Sequence, residues 1–283
     1  MKNYKESIMK GVFLVAACTS ILAVALICIF LFANGVPAMA KIGFFDFLLG
    51  TEWRPSNDIY GILPMILGSL YVTAGAIIIG VPIGILTAIF LAKFCPPKLY
   101  KILKPTTELL AGIPSVVYGF FGLMVLVPFV GNISDGTGKS ILAASVLLGI
   151  MILPTIIGVS ESAIRAVPES YYEGGLALGA SHERSVFFAT LPAAKSGIFA
   201  GVVLGIGRAI GETMAVIMVA GNQARIPGSI FEGVRTLTTN IVLEMSYAAD
   251  LHREALIATA VVLFVFILII NLSFSLIKRK AKL

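Results

Sequence analysis

The sequence predicts an all-α polytopic membrane protein with six transmembrane helices, and three observations carry that expectation. Hydrophobic residues make up 58% of the 283, charged residues only 13%, and mean hydropathy is +0.99. A soluble domain carries roughly a quarter charged residues, so this chain lacks the polar surface to cover itself in water. Apolar runs of about twenty residues recur along it, the length an α-helix needs to cross hydrocarbon. Lysine and arginine, finally, fall unevenly between alternate connecting segments. A single transmembrane domain accounts for the whole of residues 1–283.

The first span is expected at 11–33. Ala38-Met39-Ala40 behind it looks like a signal-peptidase site, but 11–33 exceeds the roughly 7–15-residue apolar core of a signal peptide, so it reads as a retained helix. The second span, 62–92, is too long for one straight crossing. Pro64 suits an interfacial start, and Pro82 between Gly80 and Gly84 suits a kink that neighbouring helices must satisfy. The remaining spans are expected at 109–130, 140–160, 196–220 and 255–277.

Sidedness follows from charge. The N-terminus, 93–108, 161–195 and the C-terminus hold fourteen of the 21 basic residues, whereas 34–61, 131–139 and 221–254 hold six. The positive-inside rule therefore places both termini in the cytoplasm. The basic balance reflects topology and anionic lipid, and nothing suggests nucleic acid.

Several chemistries are excluded. Cys18, Cys28 and Cys95 form no CxxC, and His182 and His252 lack HExxH spacing, so no disulfide, zinc site or other metal site is assigned. The loop GNISDGTGKS, Gly131–Ser140, resembles a P-loop, but Ile133 stands where the pattern needs glycine and no strand precedes it. It reads as a Gly/Ser turn, and any ATP must bind another chain. Gly75, Gly80, Gly84, Gly201, Gly205, Gly207 and Gly211 are explained by close helix packing as well as by a pore.

The fifth span poses the central question, because GIGRAIGETMAV puts Arg208 and Glu212 near its middle. Four apart on a helix, they would share one face. A charge at mid-bilayer costs at least about 2.5 kcal/mol, so both must face the bundle interior or a water-filled cavity. Either they brace each other as an ion pair or they line the path of a charged substrate. Chemistry favours the path. A guanidinium fork matches phosphate oxygens bidentately, and a carboxylate beside it could accept the proton of hydrogen phosphate and ease release. Thr213 and Ser115 are hydroxyls that could line the same path or bond their own helices.

The segment 161–195 is the most informative connection. Its middle, Pro168 to Phe188, reads as a helix opened by Pro168, with Gly174, Gly175 and Gly179 leaving one face bare. Each interior glycine costs about 1 kcal/mol against alanine, which argues that something packs closely there.

Glu173-Gly174-Gly175, then Gly179 after three residues, then Leu191-Pro192 after eleven more, resembles the EAA motif of ABC-importer permeases. Gly174 and Gly175 replace its alanines, and Ala189 stands where isoleucine is usual. Tyr60–Thr73, Leu109–Leu123 and GIGRAIGETMAV are similar to phosphate-specific ABC permeases. Trp53 with Pro55, the YGILPMI run and GETMAV resemble the PstC type of the two paired permeases. The resemblance covers roughly residues 50–277. It implies a type I ABC-importer permease fold and a substrate path with roles for Arg208 and Glu212. It also implies an ATPase dock at Glu173, Gly174, Gly175 and Gly179. The partners it implies are a second PstA-like permease, two cytoplasmic ATPase subunits that hold ATP and magnesium, and an external phosphate-binding protein. Segments 34–61 and 221–254 are long enough to meet that protein. No catalytic residue and no cofactor is expected in this chain, set in a bacterial inner membrane.

Rival readings are other ABC-borne oxyanions (phosphonate, sulfate, molybdate) and a secondary anion transporter. The latter would show inverted repeats with paired broken helices, a pattern not visible here. An intramembrane enzyme would need a nucleophile–base constellation, and only Arg208 and Glu212 lie deep.

The charge asymmetry makes a direct prediction. In a variant freed of its native cysteines, an impermeant thiol reagent added outside should modify a cysteine at Thr137 and spare one at Ser181. The reverse labelling would overturn the orientation.

Overall fold

The computed structural model describes residues 2–134 and 136–280. Lys282, counted in the basic asymmetry, and Asp135 of the Gly131–Ser140 loop lie outside them. Six helices are long and apolar enough to cross a membrane. In order, the chain forms α1 (Lys2–Ile42), α2 (Phe44–Leu49), a two-residue hairpin of β1 (Trp53–Arg54) and β2 (Ile59–Tyr60), α3 (Leu63–Ile89), α4 (Pro97–Gly112), α5 (Ser115–Phe121) and α6 (Val127–Ser134). There follow α7 (Ile141–Arg165), α8 (Glu169–Ala177), α9 (His182–Ser185), α10 (Leu191–Gly211), α11 (Met214–Val219), α12 (Leu237–Glu244) and α13 (Asp250–Lys280). Wider π-turns at Phe90–Phe94, Gly122–Leu126 and Val186–Thr190 extend α3, join α5 to α6 and lead α9 into α10.

The bundle is built around α7, whose most apolar stretch is 67% buried against 33% or less in every other span. Apolar residues all round it explain why: a helix hydrophobic on every face must be enclosed. Ser140 caps its start, accepting from the Ala143 amide at 3.2 Å. α3 lies against one side of α7 through its glycines. A Cβ at Gly75 would run into Ser145 Oγ, one at Gly80 would meet the Gly149 carbonyl at 2.7 Å, and one at Gly84 Ile156 Cγ2 at 2.8 Å. α10 packs on α7 beside α3, where Gly201 and Gly205 meet Ser160 and Ile156. These five glycines are packing residues, whereas Gly207 and Gly211 face open space.

α1 pairs with α13, Gly35 lying under Val261 and Phe32 edge-on to Phe264 at 5.9 Å. The Ala38-Met39-Ala40 stretch is helical, with Ala38 and Met39 buried. Beyond it, Trp53 pairs with Tyr60 across the hairpin. Burial, then the hydrogen bond to Asp58, pushes the Tyr60 hydroxyl up to about 12.

Three expectations are corrected. The third span does not begin at 109, because Pro114 holds Ile113 extended and separates α4 from α5. The fifth is not one helix to 220. It stops at Gly211 and restarts at Met214, with Glu212 extended at ψ 132°. The 168–188 segment is a helical hairpin: Gly179 turns left-handed at φ +84°, donates to the Leu176 carbonyl and ends the helix. Gly179 is therefore a helix stop, not a bare patch inside a helix. The segment 221–254 also penetrates further than a surface connector would, since Leu237, Thr239 and Asn240 on α12 are fully buried.

The α3–α7 contact yields a prediction. Gly80→Val drives a side chain into the Gly149 carbonyl and should destabilise by about 1–3 kcal/mol, the usual range for overpacking. Gly158→Ala on α7 meets nothing within 4 Å and should be neutral or stabilise by up to about 1 kcal/mol. Thermal melting of the purified variants in detergent reads both.

Candidate functional site

The site forms where the fifth span breaks. Arg208 lies in the last turn of α10, whose carbonyl end favours a cation. Its Nη1 donates to Thr155 Oγ1 on α7 at 3.2 Å. No carboxylate lies within ion-pair distance of the guanidinium among the described residues. Glu212 turns elsewhere: its Oε1 accepts from the amides of Thr213 and Ala215, both at 3.2 Å, and satisfies the start of α11. The helical ion pair is thus absent. The i,i+4 rule presumes an unbroken helix, and the backbone turns extended at Glu212.

The break's carbonyls are also covered. Thr213 Oγ1 donates to the Gly211 carbonyl at 3.3 Å, and Thr238 on the buried α12 donates to the Glu212 carbonyl at 3.2 Å. Helix interruptions at membrane depth persist only when such partners exist. Arg208, Glu212 and Thr213 therefore cluster at the break. Ser115 is half-buried in the first turn of α5 and hydrogen-bonds to none of them. Beside Arg208, Gly207 and Gly211 meet nothing within 4 Å and Leu204 is exposed, so this face of α10 is open. Chemically, the arrangement presents a half-buried guanidinium, with most of its donors unspent, to a space that this chain does not close.

Thr155, Thr238, Glu161 and Glu244 escaped the sequence reading. Glu161 is buried at the end of α7, accepting from Tyr100 Oη, Lys104 Nζ and Arg165 Nε, each at 2.8 Å. Arg165 also donates to the Leu91 carbonyl at 2.7 Å. Burial alone would lower the Lys104 pKa, but its bonds and charge pairing with Glu161 and Glu108 raise it overall, so the ammonium stays charged. Glu244 accepts from Arg235, from Trp53 Nε1 at 2.8 Å and from His252 Nε2 at 2.8 Å. A Glu–Arg pair four apart after an apolar run was a legible signal for Glu161. Thr155 and Thr238 carried none.

The hairpin of α8 and α9 holds the EAA-like residues. Glu173 and Gly174 are exposed, and Gly174 has nothing within 4 Å of its would-be Cβ. Gly175 instead packs on Ser185, whose Oγ would lie 2.6 Å from a Cβ there. Leu178 is 91% exposed and Phe188 78%, so the hairpin offers an apolar surface. Lys93 ties it to α3, pairing with Glu169 at 3.3 Å and lying over the Tyr172 ring.

Residues 80–283 match the family described as binding-protein-dependent transport system inner membrane component. The chain is 42% identical over 283 residues to the probable ABC transporter permease protein YqgH of Bacillus subtilis, covering 95% of this chain and 92% of that one. It is 36% identical over 265 residues to the phosphate transport system permease protein PstC of Mesorhizobium japonicum, covering 86% and 81%. Among solved structures, the MetNI methionine ABC transporter in an inward-facing form matches with a TM-score of 0.65 at 19% identity, covering 81% and 99%. A bacterial alginate ABC transporter matches with a TM-score of 0.65 at 18% identity, covering 97% and 96%. At those identities the likeness extends to the fold.

Separate satisfaction of the two charges can be tested. In a double-mutant cycle of Arg208→Gln and Glu212→Gln, stability losses should add to within about 0.5 kcal/mol. A coupling above about 1 kcal/mol would restore the ion pair.

Proposed function

The chain belongs to the binding-protein-dependent transport system inner membrane components, and on that premise we propose that it forms half of the translocation path of an ATP-driven phosphate importer. It is a multi-pass ABC-importer permease component, a transport subunit and not an enzyme. Several relatives named as phosphate transport permeases support phosphate as the cargo. The observation that carries the reading is the guanidinium of Arg208. Inside a membrane bundle its one hydrogen-bond partner among the described residues is a neutral hydroxyl, with an open face beside it. A cation so placed is costly unless an anion visits it.

In this reading Arg208 takes two phosphate oxygens on its fork. Glu212 holds the helix break that sets the guanidinium at its depth, and its charge keeps the site from gripping an anion too tightly to release it. Thr213 and Ser115 flank the path. A second, PstA-like permease closes the open face of α10. Two cytoplasmic ATPase subunits, carrying ATP and magnesium, receive Glu173, Gly174, Gly175 and Gly179 on the α8–α9 hairpin, and Leu178 and Phe188 supply apolar surface there. An external phosphate-binding protein docks on the opposite side, on 34–61 and 221–254. Both termini are cytoplasmic, in a bacterial inner membrane.

The test is transport by the assembled complex in proteoliposomes. Arg208→Gln should lower ATP-driven phosphate uptake by at least roughly 100-fold, the scale of losing a charged bidentate contact, with assembly and bound ATPase unchanged. Arg208→Lys should recover part of it. Wild-type uptake by Arg208→Gln, or equal uptake of sulfate and phosphate by the wild type, would overturn the reading.

A further inference from the structure

Thr155 on α7 does not satisfy its hydroxyl in the way that several others in the long helices do. Thr87, Ser162, Thr259 and Ser273 each donate back to the carbonyl four residues earlier, at 2.7–2.9 Å. That bond is the common way for a helical hydroxyl to satisfy itself in an apolar setting. Thr155 makes no such bond. Its Oγ1 accepts from Arg208 Nη1 at 3.2 Å, so the hydroxyl's own proton remains undonated.

Two neighbouring groups therefore hold unspent donors. Arg208 carries five N–H groups and uses one on Thr155. Thr155 is anchored on the most enclosed helix of the bundle, next to Pro154 and the fully buried Ile156, so its position is rigid. Arg208 sits in the last turn of α10, where open space at Gly207 and Gly211 would otherwise let a long side chain wander. The hydroxyl thus holds the guanidinium by accepting from it, and its own O–H is left to donate to a further acceptor.

We propose that Thr155 is a second substrate-contacting residue, which orients the Arg208 guanidinium and donates its proton to a further oxygen of a tetrahedral oxyanion held on the Arg208 fork. The inference rests on Arg208 being the phosphate contact. A planar carboxylate presents both its oxygens to the fork and has no further oxygen for the hydroxyl. A tetrahedral phosphate keeps oxygens out of the fork plane, one of which the hydroxyl meets. Selection of tetrahedral over planar anions follows from the pairing.

The experiment uses the full complex in proteoliposomes with its ATPase subunits and loaded binding protein, and inorganic phosphate as the probe. It measures phosphate carried per ATP hydrolysed, ATPase rate and amount assembled, for Thr155→Val, Thr155→Ser and Arg208→Gln. Thr155→Val keeps the shape and removes the hydroxyl. It should lower phosphate carried per ATP roughly ten-fold, the scale of one hydrogen bond to a charged group, while assembly and stimulated ATPase hold. Thr155→Ser restores the hydroxyl and should restore most of the ratio. If Arg208→Gln abolishes transport but Thr155→Val carries phosphate like the wild type, the Thr155 proposal is wrong and the Arg208 reading stands. If Thr155→Val loses assembly in step with transport and serine does not rescue it, Thr155 is a structural brace and the proposal is overturned. Normal transport by Arg208→Gln would remove the premise itself.

Discussion

A helix cannot stop inside a bilayer unless the backbone groups it opens find partners, and the interruption at Glu212–Thr213 meets that constraint on both sides. The amides that begin α11 donate to the Glu212 carboxylate, and the carbonyls that end α10 receive Thr213 and Thr238. Because Glu212 is occupied in this way, Arg208 is left without a carboxylate. Because α12 must reach in to deliver Thr238, the 221–254 segment folds back into the bundle rather than lying outside it. The functional reading of the site descends from this single local requirement.

Buried charge is handled in two opposite ways in this molecule. Glu161 and Glu244 are almost wholly enclosed, and each is surrounded by three side-chain donors. Such saturation is the condition under which a buried ion costs little net stability. Glu161 joins the end of α3, α4 and α7 at one end of the bundle, and Glu244 joins the β-hairpin, α12 and α13 at the other. Arg208 is the contrast: half-buried, tied to a neutral hydroxyl and beside bare glycines.

The two ends are mechanically continuous. Ser69 on α3 accepts from the Leu237 amide, and the Leu91 carbonyl, in the π-turn that extends α3, accepts from Arg165. Lys93, just beyond, holds the α8–α9 hairpin through Glu169 and Tyr172. α7 shares a tight, glycine-lined contact with α3 and also carries Thr155. The hairpin is thus in direct contact with the end of α3, and α3 with α7, the helix that carries Thr155.

Composition, span count and the exceptional character of 205–216 were legible in the sequence, because they depend on properties each residue carries alone: apolarity, charge and run length. The crowding of glycine in spans two and five was also legible as close packing, which Gly75, Gly80 and Gly84 against α7 bear out. The partners of Arg208 and Glu212 were not. Periodicity placed both on one helical face, but that inference holds only while the helix is continuous, and nothing local announces the extended backbone at Glu212. Gly179 likewise reads as part of a helix that it in fact ends, since a left-handed glycine and a packed one look the same in a sequence. Thr155 lies 53 residues from Arg208 and Thr238 lies 26 from Glu212. Bonds across such separations are set by how whole helices pack. The sequence alone determined that a charged site lies within a six-helix membrane bundle; only the tertiary structure decided which hydroxyl holds the arginine and which amides hold the glutamate.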